Sequence, residues 1–459
     1  MRRQTLLALA LVALAGGAQA TTVDLLEAWG GVQGHDRELA SARLNHAASQ
    51  TKRDQASALW KPNVMLSGTA GAATSETAMN GAAFSMPGQP QVTGVNFATS
   101  VTGGKMTRWA VQAQQPLYNR GRSAGSAQLK LQADLGDSGW QVAQMDLMLR
   151  TAQRYFDVAL AQERQRILAR QLQAVQRSAD EAHERFRLGD VAVTDSHEAD
   201  AALAGLKAQK VAADLDLDNK RQILADSIGV THPTAMLPTR VPALVSDKAM
   251  EQWLQSVQGS NAQLRMQQIA AEIARQEVRK HDALSSVTVD LVAQAGKDRV
   301  WGSGDFGQAS NRNTNYMVGV QVNIPLYTGG MRSAKEREAV ALADKAEADL
   351  QQAQTTVGQQ ARLLWSAREA DAARVRALEE ALKAAASRLD ATYLGRAVGD
   401  RTTLNVLNAQ TDHANTAQSL AEARVSAVMN QLRLAAMTSQ LDEGELRRVN
   451  ATLKPVTAP

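Results

Sequence analysis

The sequence predicts a mixed α and β membrane protein in which one pattern, a pair of strands followed by a long helical hairpin, occurs twice. Three observations predict this fold class. Short motifs recur about 210 residues apart, which indicates an internal duplication. In each half the spacing of apolar residues changes from every second position, typical of strands, to the helical period. Each half then continues without proline for roughly 63 residues, far longer than the helices of ordinary globular domains.

Residues 1–20 have the organisation of a secretory signal peptide. Two arginines follow Met1, an apolar run extends from Leu6 to Ala15, and Ala18-Gln19-Ala20 offers the small residues that a signal peptidase recognises. We therefore expect the mature chain to begin at Thr21. The alternative, a membrane-anchoring helix, needs about 20 apolar residues, and polar residues interrupt this run too soon.

Two independent pairs of motifs locate the duplication. Gln115–Gly121 recurs as Ile324–Gly330, and the segment from Gly189 to Ala199 recurs in register from Gly399 to Ala409. Three prolines punctuate the connector between the halves. We expect four regions in the mature chain: a first repeat at 21–228, a linker at 229–244, a second repeat at 245–437 and a C-terminal tail at 438–459.

Each half contains two segments in which apolar and polar residues alternate. Val318, Val320 and Val322 share one face of such a segment, while Gly, Gln and Asn occupy the other. Segments of this kind are about as long as a tilted strand that crosses a bilayer. We expect four strands, at about 61–72, 106–118, 285–296 and 315–326.

These strands also fit a soluble sandwich with one wet face, and three features favour a membrane location instead. The outward faces are almost free of charge, and aromatic residues cluster near the strand ends, as interfacial girdles do. The links between paired strands, Gly71–Lys105 and Gly296–Asn315, are long, polar and rich in glycine. We expect both links to be mobile loops on the surface.

After each strand pair the sequence becomes helical and stays so. Proline-free stretches run from Ser126 to Leu188 and from Arg332 to Leu394. Each predicts a helix of about 95 Å at 1.5 Å per residue. Glycine-bearing turns then lead into shorter return helices at 193–228 and 401–437, and the alternating Ala, Leu and Gln are typical of coiled-coil seams. Two further helical stretches, 23–59 and 246–283, precede the strand pairs.

Four lipid-embedded strands cannot pair all the backbone N–H and C=O groups of their two edge strands. Each unpaired group costs several kcal/mol where no water is available. The smallest natural barrels have eight strands, so this chain must pool its strands with copies of itself. Two copies would give eight strands and an interior nearly filled by side chains. Three copies would give twelve, and polar residues such as Gln112, Gln321 and Asn323 would then line a water-filled interior. The pooled helices would continue that interior as a tube.

The composition excludes several classes of protein. The 459 residues include no cysteine, which removes disulfides, zinc ribbons, iron–sulfur clusters, thiol catalysis and a lipid anchor on an N-terminal cysteine. Fifty Lys and Arg face 46 Asp and Glu, and this net charge of +4 is too small and too evenly spread for a nucleic-acid surface. The seven histidines show no ligand spacing. We expect no metal, no cofactor and no catalytic residue.

Three motifs make the resemblance to a known family specific. The Pro-Leu-Tyr turn of both halves, the segment Arg185–Asp195 and the segment Val398–Gln410 resemble the TolC family of outer-membrane channel proteins. The resemblance implies a homotrimer with a 12-stranded barrel in the outer membrane of a Gram-negative bacterium and a periplasmic α-barrel closed at its far end. It implies the exit duct of a tripartite efflux pump or type I secretion system. The missing cysteine points to the branch of the family that is not lipidated.

In such a system the energy comes from an inner-membrane ABC or proton-driven transporter, coupled to the duct through a periplasmic adaptor. The resemblance also assigns a gate to the helical tips, near 188–195 and 395–403. An Asp195–Arg401 bond would be one latch of the closed state. The alternative is ordinary helix capping by Asp195, with Arg401 a solvated residue of the first helical turn. The residues assigned to the gate are Thr194, Asp195, Arg396, Arg401, Asn405 and Asn408.

This sequence departs from the family's gate in two ways. Arg396 stands where the family often has Tyr, although Tyr393 lies one turn away. Asn405 and Asn408 stand where acidic residues often line the constriction, and rings of Asn carry no charge. We therefore expect weak cation selectivity and weak block by multivalent cations.

Two further sets of residues complete the assignment. The candidates for adaptor docking are Leu188, Gly189, Val398 and Gly399 at the outermost tips, whose alternative role is a helix C-cap that needs positive φ. The strand-to-helix turns are marked by Pro116, Tyr118, Pro325 and Tyr327.

Two other functions remain open. An exported coiled-coil scaffold or adhesin without channel activity would use the strands only for assembly, and it would be extracted without detergent. An outer-membrane hydrolase would need a nucleophile and a base on inward strand positions, where this sequence has Gln, Asn and Thr.

Overall fold

The computed structural model of the chain describes residues 21–242, 249–304 and 307–455, and the predicted signal peptide lies outside the described residues. The helices are α1 (Leu25–His35), α2 (Arg37–Ala58), α3 (Arg120–Arg187), α4 (Val193–Ile228), α5 (Met250–Ser260), α6 (Ala262–Asp282), α7 (Met331–Ala397), α8 (Thr403–Met437) and α9 (Glu443–Asn450). The strands are β1 (Thr21–Thr22), β2 (Asn63–Phe84), β3 (Val92–Tyr118), β4 (Pro233–Thr234), β5 (Met236–Pro238), β6 (Thr288–Gly304), β7 (Gly307–Asn323) and β8 (Leu453–Pro455).

One order of elements occurs twice: two helices, a pair of long strands, a long helix and a shorter return helix. The long helices α3 and α7 have 68 and 67 residues. They form because each is free of proline and rich in Ala, Leu, Gln and Arg, which are strong helix formers. The predicted mixed α and β fold class is confirmed, whereas the proposed boundaries of the two repeats stay predictions.

The chain divides into two compact units. One contains Ser49–Asp134 and Ile269–Glu347, and the other contains Leu135–Gln268 together with the residues up to Ala48 and from Ala348 onward. Within the part of the chain that the structure describes, no helix is both long and apolar enough to span a membrane.

The unit that contains Ser49–Asp134 is built on an antiparallel sheet of four strands in the order β2-β3-β6-β7. Asn63 of β2 pairs with Gln114 of β3, and Thr288 of β6 pairs with Asn323 of β7. Strands β2 and β7 are the edges of this sheet. An edge strand presents a row of backbone N–H and C=O groups to any further strand.

The strands are much longer than the sequence predicted, so the expectation of mobile surface loops at 71–105 and 296–315 was wrong. Most of both segments lies in strands, and β2 and β3 stay paired as far as Phe84 and Val92, with bulges on the way. The cause is that a ladder needs only backbone groups, and small Ala, Ser, Thr and Gly residues occupy its distal part. Loops of 35 residues are rare inside compact domains, so the length of segment 71–105 was a signal in the sequence that it is not a loop.

The largest core of the other unit surrounds Tyr155 and Phe156 of α3, both fully buried. The Tyr155 hydroxyl donates to the carbonyl of Val23 at 3.1 Å and accepts from the backbone N–H of Met236 at 2.8 Å. Burial raises the pKa of Tyr155 above its ordinary value. This hydroxyl therefore stays protonated and ties Val23 to β5, inside the predicted linker.

Described residues of the region predicted as a C-terminal tail, Leu441 to Leu453, contribute to this core. Leu446 and Val449 of α9 are buried in it, and β8 pairs with β5 through Met236 and Pro455. A separate cluster joins Trp253 of α5 to Trp365 of α7, with ring centroids 5.2 Å apart. Residues 23–39 and 441–449 therefore pack in one core with the middle of α3, and burial of their apolar side chains stabilises this arrangement.

Candidate functional site

The two helical hairpins, α3–α4 and α7–α8, end in turns of the same geometry. In the first, the N–H of Asp190 donates to the carbonyl of Arg185 at 2.8 Å, and Gly189 has φ of 83°. In the second, Asp400 donates to Gly395 at 2.8 Å, and Gly399 has φ of 85°. Both are Schellman-type ends, in which a residue with left-handed backbone closes the helix. Glycine is needed at both positions because its missing Cβ permits that conformation.

The side chains next to these glycines point into solvent. Leu188 is 70% exposed and Val398 is 82% exposed. The four residues predicted to dock an adaptor thus form a small exposed apolar point at the end of each hairpin. Their role in docking stays a prediction.

The return helices begin differently. The N-cap of α4 is Ala192, which makes no side-chain capping bond, and Asp195 lies in the first turn with its N–H bonded to the Ala192 carbonyl. The alternative in which Asp195 caps the helix was therefore wrong. Arg401 also lies outside the first turn, because the N-cap of α8 is Thr402. Thr194, next to Asp195, is exposed.

Asn405 takes part in a capping box at the start of α8. Its Oδ1 accepts from the N–H of Thr402 at 3.0 Å, and its own N–H donates to the Thr402 hydroxyl at 3.3 Å. The Asn405 amide is therefore held at the helix end. Asn408, one turn further, is exposed. Of the two residues predicted to line the constriction, Asn408 has the freer side chain.

Arg401 does not contact Asp195 within the described chain. Its Nε lies 3.6 Å from the Asp400 carboxylate. Its Cγ packs against Gly395 so closely that a Cβ added there would be only 2.7 Å from it. The Arg401 side chain thus packs over Gly395 near the end of α7, and just over half of its surface is exposed. A latch between Arg401 and Asp195 stays a prediction for the assembled oligomer.

Arg396 links the two hairpins, a role that the sequence did not indicate. Its Nη2 lies 3.1 Å from the Oε2 of Glu181 on α3, and its side chain is only 7% exposed. One turn away, the Tyr393 hydroxyl accepts from the Nε2 of Gln410 at 2.5 Å. Arg396 thus joins α7 to α3, while Tyr393 joins α7 to α8. The only signal in the sequence was that Arg stands where the family often has Tyr.

Two more contacts join the hairpins further from the tips than the Arg396–Glu181 pair or at a similar distance from them. Gln171 of α3 donates from its Nε2 to the hydroxyl of Thr411 on α8 at 3.1 Å. Leu407 of α8 is buried in the core of the first hairpin, against residues such as Leu203 and Leu206. The region between the tips and Thr411 therefore combines one ion pair, one polar bond and one apolar contact between hairpins.

The first hairpin is braced by Asp214 of α4. Its carboxylate accepts from the Nζ of Lys210 at 2.6 Å and from the Nε2 of Gln165 on α3 at 2.7 Å. These bonds, that of Lys210 first, hold the pKa of Asp214 below its ordinary value. The carboxylate is charged at neutral pH and ties the two helices together.

The strand-to-helix turns precede the N-termini of the long helices α3 and α7. Pro116 and Tyr118 are still part of β3, where they pair with Asp290 and Val289. The equivalent Pro325 and Tyr327 follow the end of β7, and Tyr327 is 88% exposed. The two turns therefore differ in strand pairing despite their similar sequences.

The chain thus combines a four-stranded sheet that has two open edges with two long helical hairpins. Solved structures of outer-membrane channels share this fold. The outer membrane protein VceC of Vibrio cholerae superposes with a TM-score of 0.70 at 17% identity, over 91% of this chain and 96% of that one. The CmeC outer membrane channel of Campylobacter jejuni gives 0.72 at 13% identity, over 94% and 90%.

Sequence comparison gives the family. The model of the outer membrane efflux protein family matches residues 32–230 and 253–440, so the chain belongs to that family. It is 30% identical to the outer membrane protein TolC of Escherichia coli strain K12 over 362 residues, 76% of this chain and 73% of that one. It is 25% identical to the proteases secretion protein PrtF of Dickeya chrysanthemi over 457 residues, 98% and 95% of the two chains. The predicted resemblance is confirmed.

Proposed function

We propose that this chain forms a passive trimeric exit duct in the outer membrane, one component of a tripartite export system. Membership of the outer membrane efflux family supports the location and the class of activity. Similarity to a proteases secretion protein along almost the whole chain supports type I protein secretion, and similarity to TolC is compatible with drug efflux as well. Residues 1–20 would direct the chain out of the cytoplasm.

One observation carries the proposal: within the described chain, the edge strands β2 and β7 of the sheet each pair with a strand on one side only. Val318, Val320 and Val322 of the edge strand β7 are 77%, 60% and 54% exposed and share one face. An apolar face of this kind is typical of strands that contact lipid. In lipid the backbone groups of an edge strand must be paired, because no water is available to bond them. Three copies would supply twelve strands, so that each β7 would meet the β2 of a neighbour and close the ring.

The gate of this duct would lie at the tips of the hairpins. The contacts around Arg396 and Gln171 support a closed arrangement that polar links between hairpins maintain. In the trimer, Asp195 and Arg401 would add links between neighbouring hairpins, and Asn405 and Asn408 would form uncharged rings. The exposed points at Leu188 and Val398 would receive the periplasmic adaptor, which couples the duct to the inner-membrane ABC or proton-driven transporter.

The test is the behaviour of the purified mature protein in detergent and in planar membranes. We expect the mass of a trimer and stepwise ion conductance after insertion. A folded monomer without conductance would contradict the proposal. Mature protein recovered without detergent would instead support the exported scaffold or adhesin, which the family assignment does not favour.

A further inference from the structure

A cavity of about 740 Å³ lies between the end of α3 and the end of α7, beside the tips. Its polar lining carries three guanidinium groups and one carboxylate, so positive charge is in excess. The polar residues of the lining are Arg177, Ser178, Glu181, Arg185, Tyr393 and Arg396. Such a cavity has the volume of a site for a small organic molecule rather than for a single water.

Arg396 has hydrogen-bonding capacity that the described chain does not use. The residue is 92% buried, since only 8% of its surface is exposed, and neither its Nε nor its Nη2 has a hydrogen-bond acceptor among the described residues. The Nη2 is close to Glu181, but that contact is an ion pair by distance and lacks the alignment of a hydrogen bond. A buried donor without an acceptor is costly, and a charged one more so.

We propose that this cavity binds a small multivalent oxyanion, a polycarboxylate or a phosphate, through the guanidinium of Arg396. Guanidinium groups bind carboxylate and phosphate oxygens in pairs through their fork of N–H donors. Arg177 and Arg185 supply further positive charge from α3. A multivalent anion satisfies several of these groups at once, whereas a chloride ion offers no directed oxygens.

Glu181 competes with the bound anion for Arg396. Among the described residues that line the cavity it is the only one with a carboxylate, and about half of its side chain is exposed, so it can turn towards solvent when the anion enters. The anion would then replace Glu181 as the link between α7 and α3, and it would join three cationic groups instead of one. If the chain is the gated duct proposed above, the bound anion therefore stabilises the closed tip.

The test is calorimetric titration of the purified mature protein in detergent with citrate and, separately, with inorganic phosphate, at constant ionic strength set with chloride. Arg396→Gln should weaken binding at least about tenfold, because the paired donors are lost. Glu181→Gln should tighten it about threefold or more, because the competing charge is removed. Arg388→Gln is the matched control: Arg388 is also on α7 but pairs with Asp412 outside the cavity, so binding should not change.

The Glu181→Gln variant separates a binding site from a purely structural ion pair. If the pair only holds the hairpins together, this variant loosens them and gains no affinity, which would overturn the proposal. Equal affinity in all variants, or no binding of either anion to the parent protein, would overturn it too. Binding of phosphate alone or citrate alone, lost in Arg396→Gln, would support the site and identify which oxyanion it prefers.

A second measurement keeps this inference distinct from the proposed function. In planar membranes, citrate added on the side of the tips should lower the open fraction of the parent channel and leave Arg396→Gln unaffected. A protein that binds citrate but forms no channel would contradict the proposed duct and leave the anion site standing. A conducting channel that binds neither anion would support the proposed duct and contradict the anion site.

Discussion

Gly31 of α1 lies directly against the backbone of Ile228 at the end of α4. A Cβ added at Gly31 would be 2.6 Å from the carbonyl oxygen of Ile228, closer than any real Cβ contact. The helices meet at this point because hydrogen is the only side chain that fits. Gly229, which follows, has φ of 73° and ends α4, so the close contact and the helix end coincide.

We therefore expect Gly31→Ala to separate the two helices and to cost about 1–3 kcal/mol of stability, the usual range for overpacking. Gly30→Ala is a matched control in the same helix, since nothing lies within 4 Å of its added Cβ. It should be neutral or stabilising by up to about 1 kcal/mol, because Ala favours helix over Gly. Thermal unfolding followed by circular dichroism measures both, and equal midpoints for the two variants would contradict the close contact.

How much of the fold was predictable depends on where each part of it is encoded. The long helices were predicted with ends within three residues of those observed, except that α3 begins six residues earlier, at Arg120 rather than Ser126. The absence of proline and the helical period are local signals. The distal strands were missed because their small residues carry little period-two signal, and only the pairing of two distant segments stabilises them. Register of this kind is a tertiary property.

The site divides in the same way. The two tip turns were predicted from Gly189 and Gly399, since left-handed backbone is a property of the residue itself. The Arg396–Glu181 pair was missed because the partners belong to different helical hairpins and no local pattern connects them. Asn405 was assigned to the constriction, which stays a prediction, and its capping role was missed although its place three residues after Thr402 is a recognisable variant of the capping-box spacing.

Asp214 makes the bracing of the first hairpin dependent on pH. Its pKa is lowered in the folded protein, so the carboxylate contributes stability above its ordinary pKa of about 4, and this contribution is lost as the pH falls through the lowered value. Because a third of the side chain is exposed, we expect Asp214→Asn to cost no more than about 1 kcal/mol at pH 7, and less at pH 3, where the pH is below the ordinary pKa of the carboxyl.

The control for this prediction is Asp226→Asn in the same helix. Asp226 is exposed and accepts from Gln222 of its own helix at 2.7 Å, so it does not brace α4 against α3. Thermal midpoints at pH 7 and pH 3 compare the variants. A deficit of Asp214→Asn that persists unchanged at pH 3 would show that the charge is not responsible.

The two faces of β7 should respond oppositely to a positive charge. Val320 lies on the apolar face, and Gln321 lies on the other. If the apolar face meets lipid, Val320→Lys should cost about 2–4 kcal/mol near the bilayer midplane and less towards its surface. Gln321→Lys should insert normally and shift ion selectivity towards anions. Folding into lipid vesicles and reversal potentials measure the two effects, and tolerance of Val320→Lys with failure of Gln321→Lys would reverse the assignment of the faces.

The tip should become selective for cations when a charge is restored at Asn408. Its side chain is exposed, and a ring of three Asp in the trimer would concentrate multivalent cations, as acidic rings do in cation channels. We expect a trivalent cation to block the parent channel weakly and the Asn408→Asp channel at a concentration at least about tenfold lower. Asn405→Asp is the comparison, because a carboxylate there still accepts from the N–H of Thr402 and stays held at the helix end. Its effect on block should be the smaller of the two. Single-channel recording with the trivalent cation on the side of the tips decides between them, and micromolar block of the parent channel would mean that neither Asn sets the constriction.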